Sequence, residues 1–254
     1  MSGPNGQRFL RSTSPSAIFA HVSVILIITL IFAVGIGVSQ YAHGKFQDAM
    51  RKGRRMVSPE NLTGAAMADE FLRSQNVLDV KIVPHEGVVS DYFDPLRRCL
   101  YLRRDTREGK DLASWAVALH EAAHALQTGE DKEALKWRQT CISLCRYLPT
   151  ALFILSFGAV FLLKLRFLKL LIMGLVAACG GALVLNVGTL AIEYNANERL
   201  RRWLGARLGK YPATLEKLEA ILGTVATREV GDLLSSPRYF FLSALPGTTK
   251  KRPT

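Results

Sequence analysis

Cysteine is sparse in this chain of 254 residues. The four present, Cys99, Cys141, Cys145 and Cys179, have no framework spacing. A disulfide-built secreted miniprotein is excluded, and reduced thiols are expected. Cys141 and Cys145 lack the further ligands of a metal site and read as core residues. Acidic residues are also short, 21 against 33 Lys plus Arg, for a net charge of +12. Yet 49% of the residues are apolar and the mean hydropathy is +0.15. Charge and apolar content must therefore occupy different parts of the chain. A disordered basic tail protein, which lacks apolar content, is excluded. The basic residues are spread out, with no interleaved aromatic motif. No nucleic-acid partner is expected, and anionic lipid headgroups explain the surplus better. No internal repeat or low-complexity stretch occurs. Histidine is rare too, with five in all and none after His124.

What is present in quantity is uncharged sequence. Residues 17–38, 147–163 and 170–192 carry no charge. A helix needs about 20 apolar residues, range about 17–25, to cross a bilayer. The first run exceeds a signal-peptide core and no A-x-A-like site follows it, so it reads as an uncleaved anchor. The other two, separated by Lys164, Arg166 and Lys169, read as a membrane hairpin. Gly174, Ala178 and Ala182 give the third run a small-residue stripe suited to close helix packing. The division expected is a polar extension (1–16), an anchor (17–38), a metal-binding domain (39–146), a hairpin (147–192) and a C-terminal segment (193–254). Basic residues flanking the runs place 39–146 and the C-terminal segment together on the inner face. The C-terminal residues 239–245 are too few to add a crossing.

Within 39–146 the pattern predicts a helical extension of the anchor over 39–55 and a helix over 63–75. Strands are expected over 77–83 and 98–103, with the second as an edge strand to which an extended peptide could add. Asp91 to Pro95 is turn chemistry, and 105–111 is a charged loop. A helix over 112–127 follows, with Asp111 as N-cap and Gly129 beyond its end. That helix, LASWAVALHEAAHALQ, is apolar nearly all round, so it is buried. Its only ionisable groups are His120, Glu121 and His124. Burying them without partners would be costly, so they need something to bind.

His120, Glu121 and His124 form H-E-x-x-H. Histidines four apart share a helix face and can reach one metal ion, with Glu121 beside the open position as general base. With five His and 12 Glu in the chain, chance gives on the order of 0.005 matches. His85-Glu86 lacks the second histidine and reads as a loop pair. The chemistry expected is Zn2+ with three protein ligands and a water. The third ligand must be a carboxylate. Glu193, in AIEYNANERL at the end of the third run, is the best choice, because a carboxylate at a hydrocarbon boundary needs pairing or coordination. Asn197, one turn on, could orient a ligand from behind. Glu198 is the rival. Tyr194, Arg199, Arg202 and Tyr211 are candidate oxyanion donors.

These residues resemble a known family, the neutral zinc metallopeptidases of bacterial membranes (the YugP type). The resemblance is carried by LTGAAMADEFL, the DYFDP turn, AVALHEAAHALQ and IEYNANERL, over about 61–200. It implies a gluzincin-like site with Glu193 as third zinc ligand, and Asp94 and Pro95 shaping the strand that enters it. The overall expectation is a mainly α, integral membrane protein with a small β element. It has about three transmembrane helices and a zincin-like metallopeptidase domain, and it cleaves peptides or membrane proteins on the cytoplasmic face of a bacterial inner membrane. The alternatives are a catalytically silent membrane scaffold with a structural zinc, and a zinc hydrolase of a non-peptide substrate.

Overall fold

The computed structural model describes residues 15–86, 90–128, 132–163 and 168–228, some side chains of the long helices excepted. The elements in chain order are α1 (Pro15–Arg54), α2 (Gly64–Ser74), β1 (Lys81–His85), β2 (Tyr92–Asp94), β3 (Cys99–Arg103), α3 (Arg104–Glu108) and α4 (Leu112–Ala123). A 3-10 turn (His124–Thr128) follows, then α5 (Lys132–Leu163), α6 (Leu168–Arg207) and α7 (Pro212–Ala226).

The apolar composition of α4 sets the architecture. All twelve of its residues are buried. Its start is fixed by Asp111, whose Oδ1 accepts from the Ser114 backbone N–H at 2.9 Å, satisfying one of the donors a helix start leaves open. α2 packs along it through Met67, Ala68, Phe71 and Leu72. Thr63 caps α2, its Oγ1 accepting from Ala66 N–H at 3.1 Å. Leu200 and Leu204 of α6, Leu208 just beyond it, and Leu218, Ile221, Leu222 and Val225 of α7 complete the core. Trp115 Nε1 donates to the Leu62 carbonyl at 2.8 Å, so the largest core side chain is also hydrogen-bonded. Arg207, at the end of α6, forks onto Glu60 and Glu70, tying α6 to α2.

The sheet order is β1-β3-β2, with β1 parallel and β2 antiparallel to β3. The strand expected at an edge is therefore the central one. Both its hydrogen-bonding sides are occupied, and β1 and β2 are the edges. β1 begins later than the pattern suggests and includes Pro84 and His85, since an edge strand tolerates the missing proline N–H. Asp94 Oδ1 accepts from Leu96 and Arg97 N–H at 2.9 and 3.1 Å, making the tight turn into β3. The charged stretch expected as a loop contains α3.

The membrane expectation is corrected. Among the described residues no helix is long and apolar enough to cross a membrane. This overturns the integral membrane protein with about three transmembrane helices. The three runs lie inside longer helices: 17–38 in α1, 147–163 in α5 and 170–192 in α6. The described parts of these helices include charged segments, such as Arg51 and Lys52 in α1, Glu133 and Arg138 in α5, and Glu193 and Arg207 in α6. A span needs about 20 apolar residues in sequence, and the described side chains do not supply it. Residues 1–14, 87–89, 129–131, 164–167 and 229–254 lie outside the described residues, and with them most of the polar extension, Gly129, Lys164 and Arg166 between the second and third runs, and the C-terminal residues 239–245.

Gly64 is where α2 comes closest to its neighbours. A Cβ there would meet the Thr106 carbonyl oxygen at 2.3 Å and the Ser114 carbonyl oxygen at 2.9 Å. Gly64→Val should therefore destabilise the protein by about 1–3 kcal/mol or more through overpacking, read as a lower midpoint in denaturant. An unchanged midpoint would show that α2 can move away from α4.

Candidate metal centre

Four elements converge on one buried locus. α4 contributes His120 and Glu121. The chain then tightens into the 3-10 turn, which begins at His124. α6 contributes Glu193 and Asn197, one turn apart on the face that meets α4. α5 contributes Arg138, and Arg228 comes from just beyond α7. His120, Glu121, His124 and Glu193 are each at most 1% exposed.

His120, His124 and Glu193 each point a ligand atom at a common place, all within 4.8 Å of one another. Glu193 Oε2 lies 2.9 Å from His120 Nε2 and 3.4 Å from His124 Nε2. The two imidazoles stand at 82° with centroids 4.9 Å apart. Behind them, two amides fix the rings. Asn197 Nδ2 donates to the Leu222 carbonyl at 2.8 Å, so its Oδ1 faces His120 Nδ1 at 2.9 Å. Gln127 Nε2 donates to the Ile192 carbonyl and to Asn195 Oδ1, both at 2.9 Å, so its Oε1 faces His124 Nδ1 at 2.7 Å. An amide oxygen only accepts, so each ring carries its proton on Nδ1. In neutral imidazoles that leaves the two Nε2 lone pairs directed at Glu193. This tautomer is the one a metal ion requires, with the outer nitrogen held by a partner. His124 Nε2 is buried with no hydrogen-bond partner among the described residues. Two imidazole nitrogens and a carboxylate oxygen are a donor set that suits zinc.

Each carboxylate is matched by an arginine. Arg138 Nε donates to Glu193 Oε1 in a very short contact. Arg228 Nη2 donates to Glu121 Oε1 at 3.0 Å. Burial pushes both carboxyls up. The Arg138 charge and the two histidines outweigh it for Glu193 and hold it well below the usual carboxylate range. Glu121 is likewise lowered, by Arg228 first. Burial and the nearby Arg138 push His124 below the ordinary imidazole value.

The loop after His124 is held from two sides. Arg98, at φ +50° in the β2–β3 turn, pairs with Asp79 and donates to the Ala125 carbonyl at 3.2 Å. Arg199 donates to the Leu126 carbonyl at 3.3 Å and to Asn195 Oδ1 at 2.8 Å. Arg199 thus acts as a brace. Tyr194, Arg202 and Tyr211 are exposed. Glu198 is exposed and pairs with Arg201 at 3.2 Å, so it does not join the cluster.

A family described as "Putative neutral zinc metallopeptidase" matches residues 26–238. The chain belongs to that family. A relative from Bacillus subtilis (strain 168), "Putative membrane protease YugP", is 29% identical over 167 residues, covering 66% of this chain and 72% of the relative. No solved structure matches the chain. The match spans every element that contributes to the cluster, so the metallopeptidase family and the buried donor set point the same way.

Sequence reasoning did not find Arg138, Arg228, Gln127 or Asn195. Arg138 and Arg228 look like ordinary surface charges in their local segments, KWRQT and ATREV. Only the requirement that two buried carboxylates be compensated could have called for them, without naming which.

The depressed groups fix how the metal-free protein responds to acid. A group whose folded pKa is lowered stabilises the fold above its unfolded pKa, and that stability is lost as pH falls. For His124 the loss begins below its ordinary value of 6.5, and for Glu193 below its ordinary 4.5. The Tm of metal-free protein should therefore fall from pH 7 to pH 5 and more steeply below pH 4.5. A Tm that is flat or rises over that range would contradict this assignment.

Proposed function

We propose that this chain is a zinc-dependent endopeptidase in which His120, His124 and Glu193 hold the metal and Glu121 moves the proton. The observation that carries the reading is the convergence of two Nδ1-protonated imidazoles and one carboxylate oxygen beside a second carboxylate with a free oxygen. Zinc held there would act as a Lewis acid on the scissile carbonyl and lower the pKa of water towards about 7.

The protein's own groups do the rest. Asn197 and Gln127 keep the imidazoles in the ligating tautomer. Arg138 occupies Glu193 Oε1 and leaves Oε2 for the metal. Glu121 Oε2 is buried and makes no hydrogen bond among the described residues. It is the atom that takes the proton of the attacking water and passes it to the leaving amine. Burial of α4 excludes bulk water from the proton's path. A purely structural zinc would have no use for Glu121, whose charge is costly to bury. That favours the enzyme over the silent scaffold.

Glu121→Gln should retain one zinc per chain and lose at least 10²-fold in cleavage of an unfolded protein substrate. Undiminished cleavage by that variant would sink the mechanism. Glu193→Ala should lose zinc and activity together, measured by metal analysis after dialysis. Replacing Asn197 or Gln127 by Leu should weaken zinc about 10–100-fold, as loss of an outer partner does. A zinc affinity unaltered in both Leu variants would mean the rings are oriented by packing alone.

A further inference from the structure

Glu121 presents its two oxygens to different surroundings. Oε1 accepts from Arg228 Nη2 at 3.0 Å, while Oε2 is buried with no hydrogen bond among the described residues. Both side chains of the pair are buried, 0% and 7% exposed. Arg228 comes from beyond α7, more than a hundred positions along the chain, so nothing local to α4 fixes the carboxylate's rotation. A guanidinium is planar and rigid, so the single Nη2 donor holds Oε1 in a fixed place.

We propose that Arg228 is the positioning residue of Glu121, clamping Oε1 so that Oε2 is the oxygen turned to the reacting water. The proposal deepens the reading of Glu121 as the base and rests on it. Arg228 touches neither substrate nor metal. Its contribution is that the base is already oriented when substrate arrives, which lowers the barrier without tightening binding.

The test compares full-length zinc-loaded protein with its Arg228→Gln and Arg228→Lys variants. Arg228→Gln should lower kcat about 30–100-fold, with KM within about twofold and zinc stoichiometry unchanged, the signature of an interaction that acts on the chemical step. Arg228→Lys keeps the charge, loses the planar group that places Nη2 on Oε1, and should fall about tenfold. A readout free of activity is the thermal unfolding of metal-free protein. Arg228→Gln should lower Tm by roughly 10 °C, because it strands a buried carboxylate. In the Glu121→Gln background, which has no carboxylate to strand, it should lower Tm far less.

Wild-type kcat in zinc-loaded Arg228→Gln overturns the proposal, as does equal loss of Tm in both backgrounds. Should Arg228→Gln not fold, wild-type kcat in Arg228→Lys overturns the orientation argument. The two readings fail separately. An active Glu121→Gln removes the base assignment. An inactive Glu121→Gln alongside a fully active Arg228→Gln removes only the positioning role.

Discussion

A buried carboxylate on a long helix constrains everything around it. Glu193 lies within the forty residues of α6 and is 1% exposed. Removing such a charge from water costs several kcal/mol even after relaxation. The cost is offset only if cations or donors meet it at short range. Here Arg138 comes from α5 and donates to Glu193 Oε1, while Oε2 is left facing the Nε2 atoms of His120 and His124. One charge therefore ties α5 to α6 beside the end of α4. The apolar packing of α4 against α2, α6 and α7 holds that placement from the other side.

The polar network around this charge works outwards in layers of decreasing cost. The imidazoles are oriented by Asn197 and Gln127, and those amides are oriented by backbone carbonyls at Leu222 and Ile192. The last partners are main-chain atoms of helical segments, which cannot swing away. A centre supported in this way keeps its geometry because each orienting group is itself held. Two carboxylates face two arginines, and burial and the nearby Arg138 push His124 below the ordinary imidazole value.

How much of this could be read from the sequence follows from how local each signal is. The α4 segment was legible because an all-apolar helix with three ionisable groups at helical spacing carries its own explanation. Asp111 as its cap was legible for the same reason. Glu193 followed from two facts about the chain, the lack of a later histidine and the place where an apolar run ends. Arg138 and Arg228 were not legible, because their meaning lies in partners 55 and 107 residues away. The strand at 99–103 illustrates the same limit. Its alternation identifies a strand, but its place between β1 and β2 depends on pairing that no local pattern encodes. The apolar runs predicted helices, and helices formed. Composition along a run describes a helix's length and its sides, and the inference from there to a bilayer is the step that fails among the described residues.

The arginines also bear on when the centre forms. Small zinc domains are unfolded without metal, because the ligands have no other reason to meet. Here Glu193 and Glu121 already have charge partners from the protein itself, and the core around Met67, Phe71, Trp115 and Leu204 contains no ligand atom. The helices can therefore assemble before any ion binds. Two buried atoms at this centre, His124 Nε2 and Glu121 Oε2, have no hydrogen bond among the described residues. Native proteins leave few such atoms, and each calls for an explanation. Here both are atoms whose lone pairs the proposed chemistry uses. A metal ion binding the folded form would stabilise that form by linkage. The fold thus separates the problem of holding the charges, solved by the arginines, from the problem of leaving two lone pairs open.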